Sequence, residues 1–271
     1  MADPAGVAKF SGSVPETYEK LFVPLIFEFY AADMAARAKA CQPKRLLEIA
    51  AGTGAVTRQL AAVLPADTVI VATDLNPPML AIAQAAGTKR PVEWKQADAM
   101  QLPFEDASFD AVVCQFGVMF LPDKGKAFAG MRRVLRPGGT LLFSAWDRIE
   151  ENHFTDVVMR SLAQTFPKDP PSFMYKAPHG YFDIPQIKRD VTAGGFGSPE
   201  VVTLAGVSRA PSAMHAATAI CQGSPLRAEI EARGAPGLEA ATQAAADALA
   251  KQYGSGAIEA KMQAHVVTVR K

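Results

Sequence analysis

Between Leu46 and Trp146 the chain alternates short apolar runs with segments of helical periodicity, and no other feature restricts the fold as strongly. LLEIA (46–50), TVIVATD (68–74), FDAVVCQ (109–115) and TLLFSAW (140–146) read as strands, and the alternating VEWKQAD (92–98) reads as another. Val56, Leu60, Val63 and Leu64 recur at helical spacing after the first strand. After the second, Asn76 is a helix N-cap and Pro77 suits the first helical position, with Met79, Leu80 and Ala83 continuing the helix. Asp123 caps a third helix carrying Phe128, Met131, Val134 and Leu135, which Arg136-Pro137-Gly138-Gly139 stops. Strands separated by single helices pair in parallel through right-handed crossovers. Runs without polar alternation belong to strands covered on both faces. The expectation is an α/β fold, a doubly wound sheet with its ligand crevice at the carboxyl ends of the strands.

The flanks read differently. Residues 14–40 are a helical extension, broken or kinked near Pro24, and residues 151–165 are helical. FPKDPPSFMYKAPHGYF (166–182) is a loop, followed by a helix over 184–193 ended by Gly194-Gly195. Residues 200–207 give a sixth strand, 212–254 at least two helices, and 258–269 a seventh strand. With no repeat and no linker composition, residues 1–271 read as a single domain. Its parts are the extension (14–40), a core (45–147), helical and loop insertions forming a lid (151–197 and 211–255) and a final strand (257–271). A hydrophobic content of 49% supplies the core, and a net charge of +1 gives no basic field for nucleic acid, so no such partner is expected. Cys41, Cys114 and Cys221 form no CxxC pair and no cluster has metal-ligand spacing, so no metal is expected. The start, MADPAGVAKF, lacks a signal-peptide layout, and no uncharged apolar stretch reaches the roughly 18 residues of a membrane span. A reduced cytoplasmic setting is expected, with monomer and homodimer both open.

Acidic residues stand at three successive strand ends: Glu48, Asp74 and Asp98. In EIAAGTGAVTRQL (48–60), Gly52 and Gly54 join strand to helix, where glycine lets the backbone turn tightly and approach a ligand. A plain tight turn is the competing reading. Asp74 is placed to accept the hydroxyls of an adenosine ribose; otherwise it caps a helix beside Asn76. Asp98, followed by Ala99 and Met100, is placed to accept from an adenine amino group; alone, it would be a loop-initiating aspartate. Leu75, Met79 and Met100 would sandwich the ring. Glu48 would face the ligand's amino acid moiety through its ammonium or a water, unless it is a buried carboxylate capping the loop.

Together these residues resemble the class I S-adenosylmethionine-dependent methyltransferases, in the branch that includes the ubiquinone and menaquinone biosynthesis C-methyltransferases (methyltransferase type 11). The resemblance runs from about Arg45 to Trp146 through EIAAGTG, VIVATDLN, QADAMQLPFEDASFDAVVCQFGVMFLPD and MRRVLRPGGTLLFSAW. It implies a Rossmann-like seven-stranded sheet, mostly parallel with an antiparallel last strand, and S-adenosyl-L-methionine as cofactor. The family's loop carries glycine where this chain has Ala50, a substitution that ordinary backbone angles would permit. Gln115, Phe116 and Gly117 fall at the methionine end and the transfer site. Tyr18 would reach or cover the cofactor, or else pack beside Leu21 and Phe22. Asn76-Pro77-Pro78-Met79 superficially resembles the Asn-Pro-Pro-aromatic motif of amide and adenine methyltransferases, but it follows the second strand rather than the fourth.

The implied activity is methyl transfer by in-line displacement to a small aromatic or lipophilic acceptor. The acceptor pocket is expected from the amino-terminal helix, the 166–182 loop (Phe173, Met174, Tyr175, Phe182) and the 212–254 insertion. For a general base the sequence offers His153 and His179, with Tyr175 and Tyr181 nearby, although each histidine reads more readily as an exposed non-catalytic residue; His215 and His265 stand further off. Two alternatives stay open. One is a nicotinamide-dependent oxidoreductase, since Asp74 lies about twenty residues past Gly54, although Thr57 falls at its third glycine. The other is a catalytically silent S-adenosylmethionine-binding protein.

Overall fold

Pairing of the apolar runs fixes the architecture. In the computed structural model, which describes residues 12–271, seven strands form one sheet in the order β3-β2-β1-β4-β5-β7-β6. Residues 1–11, with the whole of the segment read for a signal peptide, lie outside the described residues. In chain order, helix α1 (Val14–Thr17) leads into a π-helical stretch (Tyr18–Phe27) and α2 (Glu28–Ala40). The core is β1 (Arg45–Ile49), α3 (Ala55–Val63), β2 (Val69–Asp74), α4 (Pro77–Ala86), β3 (Glu93–Gln96), β4 (Phe109–Gln115), α5 (Lys124–Val134) and β5 (Leu135–Trp146). There follow α6 (His153–Thr165), α7 (Phe173–Lys176), α8 (Ile184–Ala193), β6 (Glu200–Ala210), α9 (Ala213–Gln222), α10 (Leu226–Ala232), α11 (Leu238–Tyr253) and β7 (Ile258–Arg270). Strands β1 to β5 pair in parallel, and β7 runs antiparallel to both β5 and β6. This is the mostly parallel, doubly wound sheet that the sequence implies.

Two-residue alternation sends successive side chains to opposite faces of the sheet. Leu46, Ala111, Val113 and Leu142 join Met34 of α2 and Leu60 of α3 in one apolar cluster. Leu47, Val112, Leu141 and Phe143 join Phe128 and Met131 of α5 in the other. Both faces are therefore covered, which is why these strands lack polar alternation.

Three details differ from the sequence reading. The amino-terminal extension does not break at Pro24: a π-helical stretch carries the chain past it, with the Glu28 N–H reaching back to the Val23 carbonyl. Proline has no N–H and crowds the preceding turn, and the wider π-turn accommodates both. Strand β5 begins at Leu135 instead of Thr140, because Arg136–Gly139 is bulged within it; its register on β4 jumps from Phe109↔Leu135 to Ala111↔Thr140. Strand β6 runs on to Ala210 instead of ending at Val207, and the three helices after it meet the expectation of at least two. Among the described residues, no helix is long and apolar enough to cross a membrane, and no cluster could hold a metal ion.

Asp110 ties the amino-terminal ends of the central strands. Its Oδ2 accepts the N–H groups of Lys44 (2.9 Å) and Arg45 (2.8 Å), and its Oδ1 accepts from Arg136 (2.6 Å). Partial burial opposes ionisation, but these donors outweigh it and hold the carboxyl below its ordinary value. Asp110→Ala should therefore cost about 1–2 kcal/mol at pH 7. A lowered folded value means that this stabilisation is complete above the ordinary carboxylate range and fades as pH falls through the folded value. Urea unfolding of both proteins at pH 7 and pH 3 checks this: the gap should narrow in acid, and a gap unchanged with pH would refute it.

Candidate active site

The loop after β1 is held against the end of β2 by two backbone donors. The Ala51 N–H donates to the Thr73 carbonyl at 2.9 Å, and the Gly52 N–H to Asp74 Oδ2 at 2.8 Å. Asp74 Oδ1 accepts the Asn76 N–H (2.8 Å) and side-chain amide (3.2 Å). Asp74 is buried, and burial raises its carboxyl above the ordinary value against the pull of the Asn76 and Gly52 N–H groups. Asp98 is exposed and its Oδ1 accepts the Met100 N–H at 2.8 Å, fixing the turn after β3.

These strand ends surround an open cavity enclosing about 1020 Å³ of empty space, part of it continuous with solvent. Ala50 and Gly52 come from the first loop; Asp74, Leu75 and Met79 from the second; Asp98, Ala99 and Met100 from the third. Gln115, Phe116 and Gly117 line it at the end of β4, and Tyr18 of the extension closes it. The structure thus brings together nearly all of the residues singled out in the sequence. Asn76, Phe120, Leu121 and Pro122 also line it; the sequence offered only their proximity to strand ends as a signal.

Two expected members lie elsewhere. Gly54 does not line the cavity. At φ +86 it caps α3, and a Cβ there would sit 3.2 Å from Ala83 and 3.3 Å from Trp94, so this glycine serves the turn and helix packing. Glu48 lies behind the loop in a small adjoining cleft with Thr53 and Gln115. Burial raises its carboxyl to about 8 despite a 2.6 Å hydrogen bond from the Thr57 hydroxyl.

Ala50 requires a correction. Its backbone is left-handed (φ +55), not ordinary, and alanine there carries strain of about 1–2 kcal/mol. Phe116 is left-handed too (φ +53), so two strained residues flank the same cavity. Gly117 lies so close that a Cβ on it would come within 2.6 Å of the Ala50 methyl.

A second cavity, of about 690 Å³, adjoins the first and shares Tyr18, Phe116 and Phe120 with it. Phe22, Ile26 and Phe27 from the π-helical stretch, Phe173 and Met174 from the 166–182 loop, and Ser224 and Pro225 from the insertion line it. Those are the three variable regions expected to build an acceptor pocket. The sheet adds Trp146 and Met262, which the sequence reading missed because an inward residue on a strand looks like ordinary core. Phe116 stacks on Trp146 with centroids 3.8 Å apart and planes within 1°. Tyr175 and Phe182 do not participate; both are exposed. Of the candidate bases, His179 lines the second cavity, whereas His153 at the start of α6 and Tyr175 line neither. His215 donates its N–H to Ser212 within the α9 cap, and His265 is buried between Asp147 and Thr203.

Residues 47–143 match the methyltransferase domain family. The chain is 44% identical over 110 residues to a demethylmenaquinone methyltransferase of Deinococcus radiodurans, covering 40% of this chain and 45% of the relative. It is 31% identical over 144 residues to a ubiquinone/menaquinone biosynthesis C-methyltransferase of Saccharophagus degradans, covering 49% of this chain and 58% of that one. The chain thus spans about half the length of these curated relatives. Among solved structures, an S-adenosylmethionine-dependent methyltransferase of Thermotoga maritima superposes with a TM-score of 0.55 at 18% identity, covering 97% of this chain and 98% of that one. The [4+2]-cyclase SpnF superposes with a TM-score of 0.53 at 20% identity, covering 89% and 79%. At such identities the likeness is one of fold. Residues 47–143 are a class I, S-adenosylmethionine-dependent methyltransferase domain, similar to quinone-biosynthesis enzymes.

The left-handed turn at Ala50 can be tested directly. Ala50→Val places a branched Cβ at an angle it adopts only with strain and should lower stability by about 1–3 kcal/mol. Ala50→Gly should leave the urea midpoint unchanged or higher. Equal midpoints for the valine and wild-type proteins would mean that the turn is not left-handed.

Proposed function

We propose that this protein is an S-adenosylmethionine-dependent methyltransferase that binds the cofactor in the larger cavity and a small aromatic or lipophilic acceptor in the aromatic one. A single observation carries the reading. The cavity built from the strand ends and the aromatic cavity have common walls in Tyr18, Phe116 and Phe120, so donor and acceptor would meet at those residues.

The residues present fit the cofactor. A carboxylate offers about four acceptor sites, so Asp74 retains capacity for a ribose hydroxyl beyond its loop bonds. Asp98 would accept from the adenine amino group, with Leu75, Met79 and Met100 against the ring. Gln115 Oε1 and Thr53 Oγ1 are buried without a hydrogen-bond partner among the described residues, in the cleft that Glu48 also lines. An ammonium group donating there would satisfy the amide oxygen and meet the Glu48 carboxyl. When bound, the sulfonium supplies a methyl group already activated for displacement. The protein's part is to orient the acceptor on the Phe116 side and exclude water; such positioning contributes on the order of 7–11 kcal/mol in favourable cases. The nicotinamide alternative loses ground at Thr57, which is fully buried and bonded to Glu48 where that fold needs its third glycine for close packing of the helix on the strand. Methyl transfer to a panel of phenols, quinols and amines separates an active enzyme from a silent binder.

Two titrations with S-adenosylhomocysteine test the cofactor site. Asp74→Ala should weaken binding about 10–100-fold, and the exposed Asp98→Ala about 3–10-fold; wild-type affinity in both variants would sink the assignment. Glu48 gives a proton readout. Its folded value of about 8 lies above the ordinary 4.5, so in the unliganded protein it costs stability as pH rises through that window. At pH 7 it is mostly protonated, and an incoming ammonium would ionise it. The binding enthalpy at pH 7 should then change with the ionisation enthalpy of the buffer, and Glu48→Gln should abolish that dependence. Buffer-independent heats in the wild type would remove Glu48 from the ammonium site.

A further inference from the structure

The polar atoms around the aromatic cavity decide what it can recognise, and most already have partners. The Asn152 side chain bridges to the backbone of Asp147, Arg148 and Gln263. Ser208 Oγ donates to the Leu25 carbonyl, and Ser224 Oγ to that of Ile220. Lys261 Nζ is paired with Glu151 at 2.6 Å. An anion entering the cavity would have to compete with Glu151 for that lysine, and a cation would find no uncommitted carboxylate on the wall. Among the cavity's described side chains other than Tyr18, His179 Nε2, the Thr155 hydroxyl and the Trp146 indole N–H have no hydrogen-bond partner, and of these three only Nε2 is a pure acceptor.

The state of His179 follows from its other nitrogen. Nδ1 lies 2.8 Å from the Asp147 carbonyl oxygen. A carbonyl only accepts, so Nδ1 carries the hydrogen and the neutral ring has a bare lone pair at Nε2. Burial holds the imidazole down at about 4, which keeps it neutral. Asp147 is itself fixed from β7: Gln263 Nε2 donates to its Oδ2 at 2.7 Å, and His265 Nε2 lies 3.3 Å from its Oδ1. His265 is in turn held by Thr203, with Oγ1 and Nδ1 2.9 Å apart. The tautomer and tilt of His179 are thus set by an anchored network. The aromatic side chains that line the cavity are stacked in pairs, Phe116 on Trp146 and Phe120 at 20° to Phe173, so much of its wall is ring surface against which a flat molecule could lie.

We propose that His179 selects and orients the methyl acceptor, its Nε2 accepting a hydrogen bond from the donor group of a flat, uncharged, largely apolar molecule. This rests on the reading of the aromatic cavity as the acceptor site. His179 lies outside residues 47–143, the segment that matches the methyltransferase domain, so this selectivity is supplied by the flanking part of the chain. Asp147, Gln263 and His265 are positioning residues that act through it.

The test uses the full chain saturated with S-adenosylhomocysteine, with 1-naphthol and 1-methoxynaphthalene as probes in equilibrium dialysis. They share a ring system, and only the naphthol has a hydrogen to donate. Wild type should prefer the naphthol about five- to tenfold, the worth of one neutral hydrogen bond. His179→Phe and His179→Asn should each abolish that preference while holding S-adenosylhomocysteine as wild type does. The asparagine variant retains a donor for the Asp147 carbonyl but does not reach the cavity, so it carries the test if the phenylalanine variant fails to fold. Comparing the ratio across variants cancels intrinsic differences between the probes. A preference that survives in the variants, one that is absent from wild type, or failure of the loaded protein to bind either naphthalene overturns the proposal. Failure of wild type to bind S-adenosylhomocysteine at all overturns the methyltransferase reading on which it rests.

Discussion

The site depends on the carboxylate of Asp74 and the two backbone N–H groups it receives. Gly52 belongs to the loop after β1 and Asn76 to the start of α4, and Asp74 ends the strand between them in the sheet's chemistry. One buried carboxylate therefore fixes the separation of two loops that could otherwise move independently. Burial penalises its charge, and the N–H donors offset only part of that penalty. The open turn at Gly52, the direction of Asn76 and the floor of the cavity all follow from this arrangement.

Two of the four left-handed non-glycine residues among the described ones lie at the same place. Ala50 and Phe116 are both left-handed non-glycine residues, and both line the cavity that the strand ends create. Such conformations persist when the surroundings over-determine them. Here the parallel pairing of β1 with β2 and β4 does so, since the loops leave adjacent strands within a rigid register. Phe116 also stacks on Trp146, so its unusual backbone angle is coupled to the wall between the two cavities.

Much of this was legible in the sequence. The five core strands, the N-caps at Asn76 and Asp123, and the convergence of Gly52, Asp74 and Asp98 rest on local patterns with a direct physical cause, whereas Ala50 and Gln115 were placed by the family resemblance. What escaped was non-local. Gly54 and Glu48 stand in the right motif, yet one faces α4 and Trp94 and the other is sequestered by Thr57. The π-helical turn at Pro24 reads as a break because proline in a one-dimensional pattern signals only interruption. Three histidine and tyrosine candidates were equivalent by type and region; burial and the Asp147 carbonyl separated His179 from His153 and Tyr175.

The chain's own pattern of apolar runs and strand-end acids determined a doubly wound sheet and the crevice it must have. Hydrophobic periodicity is written residue by residue, and a parallel sheet places its strand ends together whatever covers them. Tertiary structure alone decided which faces those residues present, how the extension and insertions close over Phe116 to form a second cavity, and which histidine looks into it. Side-chain direction and the identity of a hydrogen-bond partner depend on contacts between segments far apart in the chain, and no local pattern encodes them.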